Sequence, residues 1–349
     1  MRLGLRELLS GWGLALVCAA CQAGGPPKAP MTPGPPDAIL TADGTPIALR
    51  RSLVADEYFW LRAKVLEGDI PKEYGEAYAA MQELRSDFAG DPTAWEDLEV
   101  PLGEVASCGE LLSIYSALPE RRDVGGRVVQ LRSDATRLAR AMVAVEETYR
   151  RGPYHDHAEQ IAKAASDLVQ RLVPHENEIL QAIEADMGVS GADRPIVITL
   201  VGDAPYPGIF AADARGRVMA SFVRVRGLDG GALVETVLHE SLHAYDEMTV
   251  REKSTAMNAL RAALGQRGMD ENDPNVEMAV NTVTFAEAAS LVRRFVDKTH
   301  KPLGESGFYT LYPPAPAIVE AWSRRVETGE AIDATADAIA KAVAAPAPP

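Results

Sequence analysis

The segment His239-Glu240-Ser241-Leu242-His243 constrains the chain more sharply than any other. Two histidines four residues apart serve one site if the backbone between them is helical, because at that spacing they lie about 40° apart in projection and both rings leave one face. The neighbouring residues suit a helix with one side buried. Val234, Leu238, Ser241 and Tyr245 form a mostly apolar stripe opposite the histidines. Thr236, Val237, Ser241, Leu242, Ala244 and Tyr245 are all uncharged.

Two imidazoles on one face can grip one ion. Zn2+ suits them, because it accepts nitrogen ligands tetrahedrally, keeps an open position for water and lowers the pKa of that water toward 7. Glu240 would flank such an ion, where it can hold and deprotonate the water. Asp246, three residues after His243, is placed to accept the second imidazole N–H of a ligand and fix its tautomer. The competing reading is a surface helix with an i,i+4 histidine pair.

The rest of the chain divides by its patterning. Tyr74 to Phe88, Asp134 to Tyr149 and Asp156 to Met187 carry apolar residues at three- and four-residue spacing, which predicts helices. Gly90-Asp91-Pro92, Gly125-Gly126 and Gly152-Pro153 punctuate them, and Pro174 should kink or divide the last. His155, His157 and His175 read as surface residues, and Cys108 as a buried structural thiol. From Arg194 the character changes. The β-branched run Pro195 to Val201 predicts a buried strand. Asp213-Ala214-Arg215-Gly216 predicts a turn into a second strand, Val218 to Val225, the natural edge for an extended peptide to pair with. A helix should start near Ala232, with further helices to about Val343. The expected fold class is therefore α+β and predominantly helical, with an all-helical region at 46–190 and a second domain at 191–343 made of a small sheet, the motif helix and a helical C-terminal part.

Over roughly Pro195 to His300 the chain resembles the zincin metallopeptidases, and the absence of a third His at short spacing makes the gluzincin type the better match. That resemblance implies a zinc-dependent peptidase of zincin-like fold, with Glu240 as general base, His239 and His243 as ligands, and a Glu on a later helix as third ligand. Pro274 to about Lys298 is that helix and offers Glu277 and Glu287. Glu287 falls within the stripe of Val276, Val280, Val283 and Leu291, 44 residues after His243, whereas Glu277 lies well off it. A carboxylate in an apolar stripe must be paired or ligating, and a salt bridge to an arginine such as Arg261 is the alternative for Glu287. Gluzincins often use a Tyr or His to steady the oxyanion; Tyr309, Tyr312 and His300 are the candidates.

The N-terminus reads as an export signal at residues 1–20: Arg2 and Arg6 precede an apolar stretch from about Leu8 to Ala20, too short for a comfortable membrane span. Val17-Cys18-Ala19-Ala20-Cys21 resembles a bacterial lipobox, with Cys18 where the family usually has Leu; the resemblance implies lipid attachment at Cys21 and a membrane-anchored protein at the outer membrane or cell surface. An ordinary secretory signal cut near Ala20 or Ala23, giving a periplasmic or secreted protein, is the alternative. Gly24 to Pro36 holds six prolines and three glycines, a tether within 21–45, and 344–349 is a frayed tail. With 50 acidic against 35 basic residues the chain is a poor nucleic-acid binder. Its expected partners are a peptide or protein substrate and, through the lipid, a membrane. The helical region could shape a substrate cleft or act as an inhibitory pro-segment. The alternative from another class is a non-catalytic helical lipoprotein, a binding or scaffold module with a structural metal site.

Overall fold

The run after Arg194 becomes the middle strand of a five-stranded sheet. In this computed structural model, residues 38–39, 47–68, 70–89, 92–189, 196–212, 219–248, 254–270 and 273–345 are described. The signal segment, Cys21, most of the tether, the turn at 213–216 and most of the tail lie outside them. The strands are β1 (Ala38–Ile39), β2 (Ile47–Arg51), β3 (Arg122–Val124), β4 (Arg127–Val129), β5 (Ile196–Val201), β6 (Gly208–Ala212) and β7 (Met219–Arg224). The sheet order is β1-β2-β5-β7-β6, with β3 and β4 forming a separate hairpin. β2, β5 and β7 run parallel, while β1 and β6 are antiparallel to their neighbours. Gly125 and Gly126 both take positive φ at the tip of the hairpin, as a two-residue turn of this hand requires.

The helices are α1 (Leu53–Glu67), α2 (Gly75–Asp87), α3 (Glu96–Glu99), α4 (Cys108–Tyr115), α5 (Leu131–Arg151), α6 (Pro153–Leu172), α7 (Glu176–Met187), α8 (Gly230–Met248), α9 (Thr255–Gly265), α10 (Pro274–Leu291), α11 (Phe308–Leu311), α12 (Ala315–Thr328) and α13 (Ile332–Ala344). The α+β, predominantly helical class is as expected. Pro174 divides α6 from α7 through a single 3-10 turn. A π-turn at Val292–Val296 ends α10 sooner than its pattern suggested.

Both faces of the sheet are covered. Ile196, Ile198 and Leu200 of β5 join a core built with α6 to α10, α12 and α13. Val201 and Phe222 face the other way, into a core built from α1, α2, α4 and α5, where Phe222 packs on Phe59 at 4.7 Å between ring centroids. Two sequence expectations are corrected here. The region 46–190 is not all helical: β2 lies inside the sheet, paired residue for residue with β5 from Ile47↔Ile196 to Arg51↔Leu200. The sheet and both cores thus cross the boundary drawn near 190. The strand over 218–225 is also not an edge. Parallel pairing to β5 places β7 inside the sheet and leaves β6 at its rim.

A buried polar network ties the two sides together. Asp56, in the first turn of α1, accepts hydrogen bonds from Tyr149 Oη at 2.6 Å, from His157 Nδ1 at 2.8 Å and from the Gly202 N–H at the end of β5. His157 is therefore not a surface residue, being only 8% exposed, and a Cβ at Gly202 would overlap its ring. Its burial depends on an aspartate a hundred residues away, which no local pattern reveals. Cys108 is buried as expected; its thiol donates to Glu57 Oε2 at 3.6 Å and burial pushes its pKa far up.

Burial lowers the His157 pKa, but the Asp56 hydrogen bond and charge, with help from Asp203, outweigh burial and the nearby Arg226 and leave it raised. A histidine raised in the folded state adds stability that is complete below its unfolded value of about 6.5 and is lost as pH rises through the folded one. The stability gap between the native chain and His157→Gln, read from urea midpoints, should therefore be larger at about pH 6 than at about pH 9. Asp56→Ala should cost about 3–5 kcal/mol, because it strands buried donors.

Candidate metal centre

α8 is held by the stripe anticipated for it. Val234, Leu238, Ser241 and Tyr245 are all buried, and Ser241 satisfies its hydroxyl by donating to the Val237 carbonyl at 2.7 Å. The opposite side carries the motif between β6 and α10. There His239 stacks on Phe285 of α10, with centroids 3.9 Å apart and planes 26° apart. His243 stacks more loosely on Phe210 of β6, at 5.7 Å and 24°. Each ring is clamped by a phenyl group from a different element.

The clamped rings bring His239 Nε2 and His243 Nε2 to 3.1 Å. Two ligands of one tetrahedral ion at Zn–N distances of about 2.0–2.1 Å stand about 3.3 Å apart. Burial, and then the His243 ring beside it, hold His239 well below the ordinary histidine range. His243 is lowered chiefly by burial, against the pull of Asp246. Both rings are thereby biased to the neutral form that binds a metal.

Glu240 lies on the β6 side. Its Oε1 is 4.0 Å from His239 Nε2, its Oε2 has no hydrogen-bond partner, and burial pushes the carboxyl up to about 8. Gly208, the first residue of β6, is what lets it fit, since a Cβ there would overlap the Glu240 carboxylate.

Other expected site residues stand elsewhere. Asp246 gives its carboxylate to Arg261 rather than to an imidazole N–H, although its charge still acts on His243; Arg261 is thus the partner of Asp246, not of Glu287. Glu287 is completely buried but turned to α12, where it accepts from Trp322 Nε1 at 2.8 Å, with Asp186 and Arg294 as its charged neighbours. It is not brought to the histidines. α10 is covered on more than one side, and the stripe that identified Glu287 as buried is not the side that meets α8. Glu277 is exposed. The α8 side of α10 carries Asn281, Thr284 and Phe285.

Tyr312 is buried with its hydroxyl donated to the Asn275 carbonyl at 3.2 Å, which commits it to the start of α10. His300 is committed to Glu235, one turn before His239 on α8, and its ring fills the space over Gly231. The Leu303 N–H also donates to Glu235, at 3.0 Å. Tyr309 alone of the three keeps a buried hydroxyl without a partner, and burial followed by the Glu235 charge pushes its pKa far up. Among the described residues, no group of three or more His, Cys, Asp or Glu side chains is placed to hold a metal ion. The sequence reading missed Asn281, Phe210, Phe285 and Gly208. Asn281 had a signal, as the one amide between Ala279 and Ala289 on a helix of Val, Thr, Phe and Ala.

No protein-family model, curated protein or solved structure matches the chain.

If the histidine pair holds zinc and Glu287 serves only the α12 contact, Glu287→Gln should leave zinc content unchanged, because the amide oxygen can still accept from Trp322, whereas His239→Ala should abolish stoichiometric zinc. Zinc measured by atomic emission in protein purified without chelator separates the two.

Proposed function

We propose that the chain is an exported zinc-dependent peptidase of the gluzincin type, anchored to a membrane through a lipid on Cys21. The observation that carries the enzymatic part is the pair of Nε2 atoms 3.1 Å apart, next to a buried carboxylate whose Oε2 has no partner. These residues fit zinc: two imidazole nitrogens biased to the neutral form, at the spacing of two ligands on one ion. His239 and His243 would hold it. Zinc supplies Lewis acidity for a water and for the scissile carbonyl.

The chain's own groups do the rest. Glu240 takes the proton from the attacking water and passes it to the leaving amine. The rim strand β6 pairs with an extended substrate, with Gly208 placing that strand directly beside Glu240. Tyr309, whose hydroxyl is uncommitted, is the oxyanion donor that remains of the three considered. A scaffold with a structural metal leaves Glu240, buried beside His239, without a task, whereas the peptidase reading gives it one.

Glu240→Gln should keep about one zinc per chain and lose proteolysis by about 10²–10⁴-fold. Full activity in that variant, or no zinc in native protein purified without chelator, overturns the reading. For the anchor, Cys21→Ser should move the protein from the membrane to the soluble fraction; continued partition into detergent would refute lipid attachment at that residue.

A further inference from the structure

Glu235 and His300 form a buried pair on the motif helix, and the proposed chemistry uses neither. The Glu235 side chain is fully buried and that of His300 is 7% exposed. Glu235 stands one turn before His239 on the same side of α8. Its carboxylate accepts from His300 Nε2 and from the Leu303 N–H, the latter at 3.1 Å to Oε1 and 3.0 Å to Oε2. The His300 ring lies in the space over Gly231, a turn earlier still. Two donors from the segment that follows α10 are thereby fixed to α8, and pulling that segment away would strand a buried carboxylate.

The rest of the segment is built on this point. Leu303 opens a 3-10 turn to Ser306, and Gly304, its second residue, lies directly against the Tyr309 ring, which a Cβ there would overlap. Phe308, next to Tyr309, meets Phe285 with centroids 5.0 Å apart, and Phe285 is the ring stacked on His239 at 3.9 Å. The residue whose N–H Glu235 holds is thus adjacent to the one that seats Tyr309. Phe308–Leu311 is a helix of four residues, too short to fix its own orientation.

We propose that Glu235 and His300 are positioning residues: as a hydrogen-bonded pair they set where Tyr309 presents its hydroxyl and where Phe308 supports Phe285, without touching ion or substrate. This rests on the peptidase reading above, in which Tyr309 steadies the oxyanion. That task tolerates little displacement, because a donor helps only at about 2.7–3.1 Å from the position the oxyanion takes.

The test compares full-length variants by zinc content, by hydrolysis of fluorescein-labelled casein, and by amide hydrogen exchange across 303–311 in the metal-free state. His300→Ala and Glu235→Gln should keep their zinc, lower kcat by about 10²-fold with KM little changed, and exchange faster across 303–311. His300→Gln, which can still donate to Glu235 and is suited to fold where alanine fails, should recover most of kcat. Tyr309→Phe should lose about 10²–10³-fold. Adding His300→Ala to it should cost little more, because both act through one hydroxyl. Losses that multiply in the double variant, or exchange across 303–311 that stays native, overturn the inference. A purely structural pair would lower zinc content and kcat together in every variant, and that result overturns it too. No casein hydrolysis by the native chain, or full activity in Glu240→Gln, overturns the peptidase reading; Glu240-dependent hydrolysis that His300→Ala leaves untouched overturns only the positioning role.

Discussion

Two imidazole nitrogens meet inside a protein when neither ring carries a proton too many. At 3.1 Å a pair of imidazolium groups would repel strongly in a medium of low dielectric, so closeness and neutrality must come together. Here both follow from how α8 is held. Its apolar side is sunk in the core with the sheet and α10, which fixes the direction in which His239 and His243 project. Phe285 and Phe210 then take up the flat faces of the rings and exclude water from them. The Nε2 atoms then face each other between the two phenyl groups.

The polar groups around this pair are sorted by element. Glu240 is displaced toward the rim strand by its position one residue after His239, and the missing side chain at Gly208 accommodates it. Glu235, one turn earlier on α8, is fully buried but accepts from His300 and the Leu303 backbone, so the segment after α10 is stapled to the motif helix by a carboxylate that takes no part in the pair. Asp246, one turn beyond Leu242, is matched by Arg261. Among the described acidic side chains of α8, Glu235 and Asp246 have both oxygens accepting while Glu240 is left with one that accepts from nothing, and that contrast sets it apart more clearly than burial does.

Much of this was legible from residue order, and the boundary of legibility is physical. The α8 stripe, the division at Pro174 and the strand at Ile196–Val201 depend on neighbours within a few residues, so periodicity and backbone chemistry reveal them. β2 does not have that advantage. Ile-Ala-Leu-Arg-Arg is short and ends in two cations, and it is a strand because β5 lies alongside it. Which strand forms the rim depends on pairing order, a long-range property, so β7 could not be told from β6 by composition. Glu287 marks the same limit at the site. Its stripe correctly gave burial, but burial does not say which neighbour does the burying, and α12 rather than α8 was the answer. His157 was missed because its partner is Asp56, distant in the chain and adjacent in space.

The placement of β2 has a consequence for how such a protein could be switched on. Many hydrolases are made as inert precursors and activated by clipping away the segment that precedes the working half. A cut near 190 would not be of that kind here. Severing the chain near 190 and discarding what comes before would remove the strand paired along β5 from Ile47↔Ile196 to Arg51↔Leu200, and with it α6 and α7, which share the core of α8. The newly bared β5 would offer an unpaired parallel edge to any passing strand, and the helix that carries the histidines would lose part of its floor. Ile47–Arg51, α6 and α7 are thus part of the fold that holds the motif helix in place, not a detachable prelude to it.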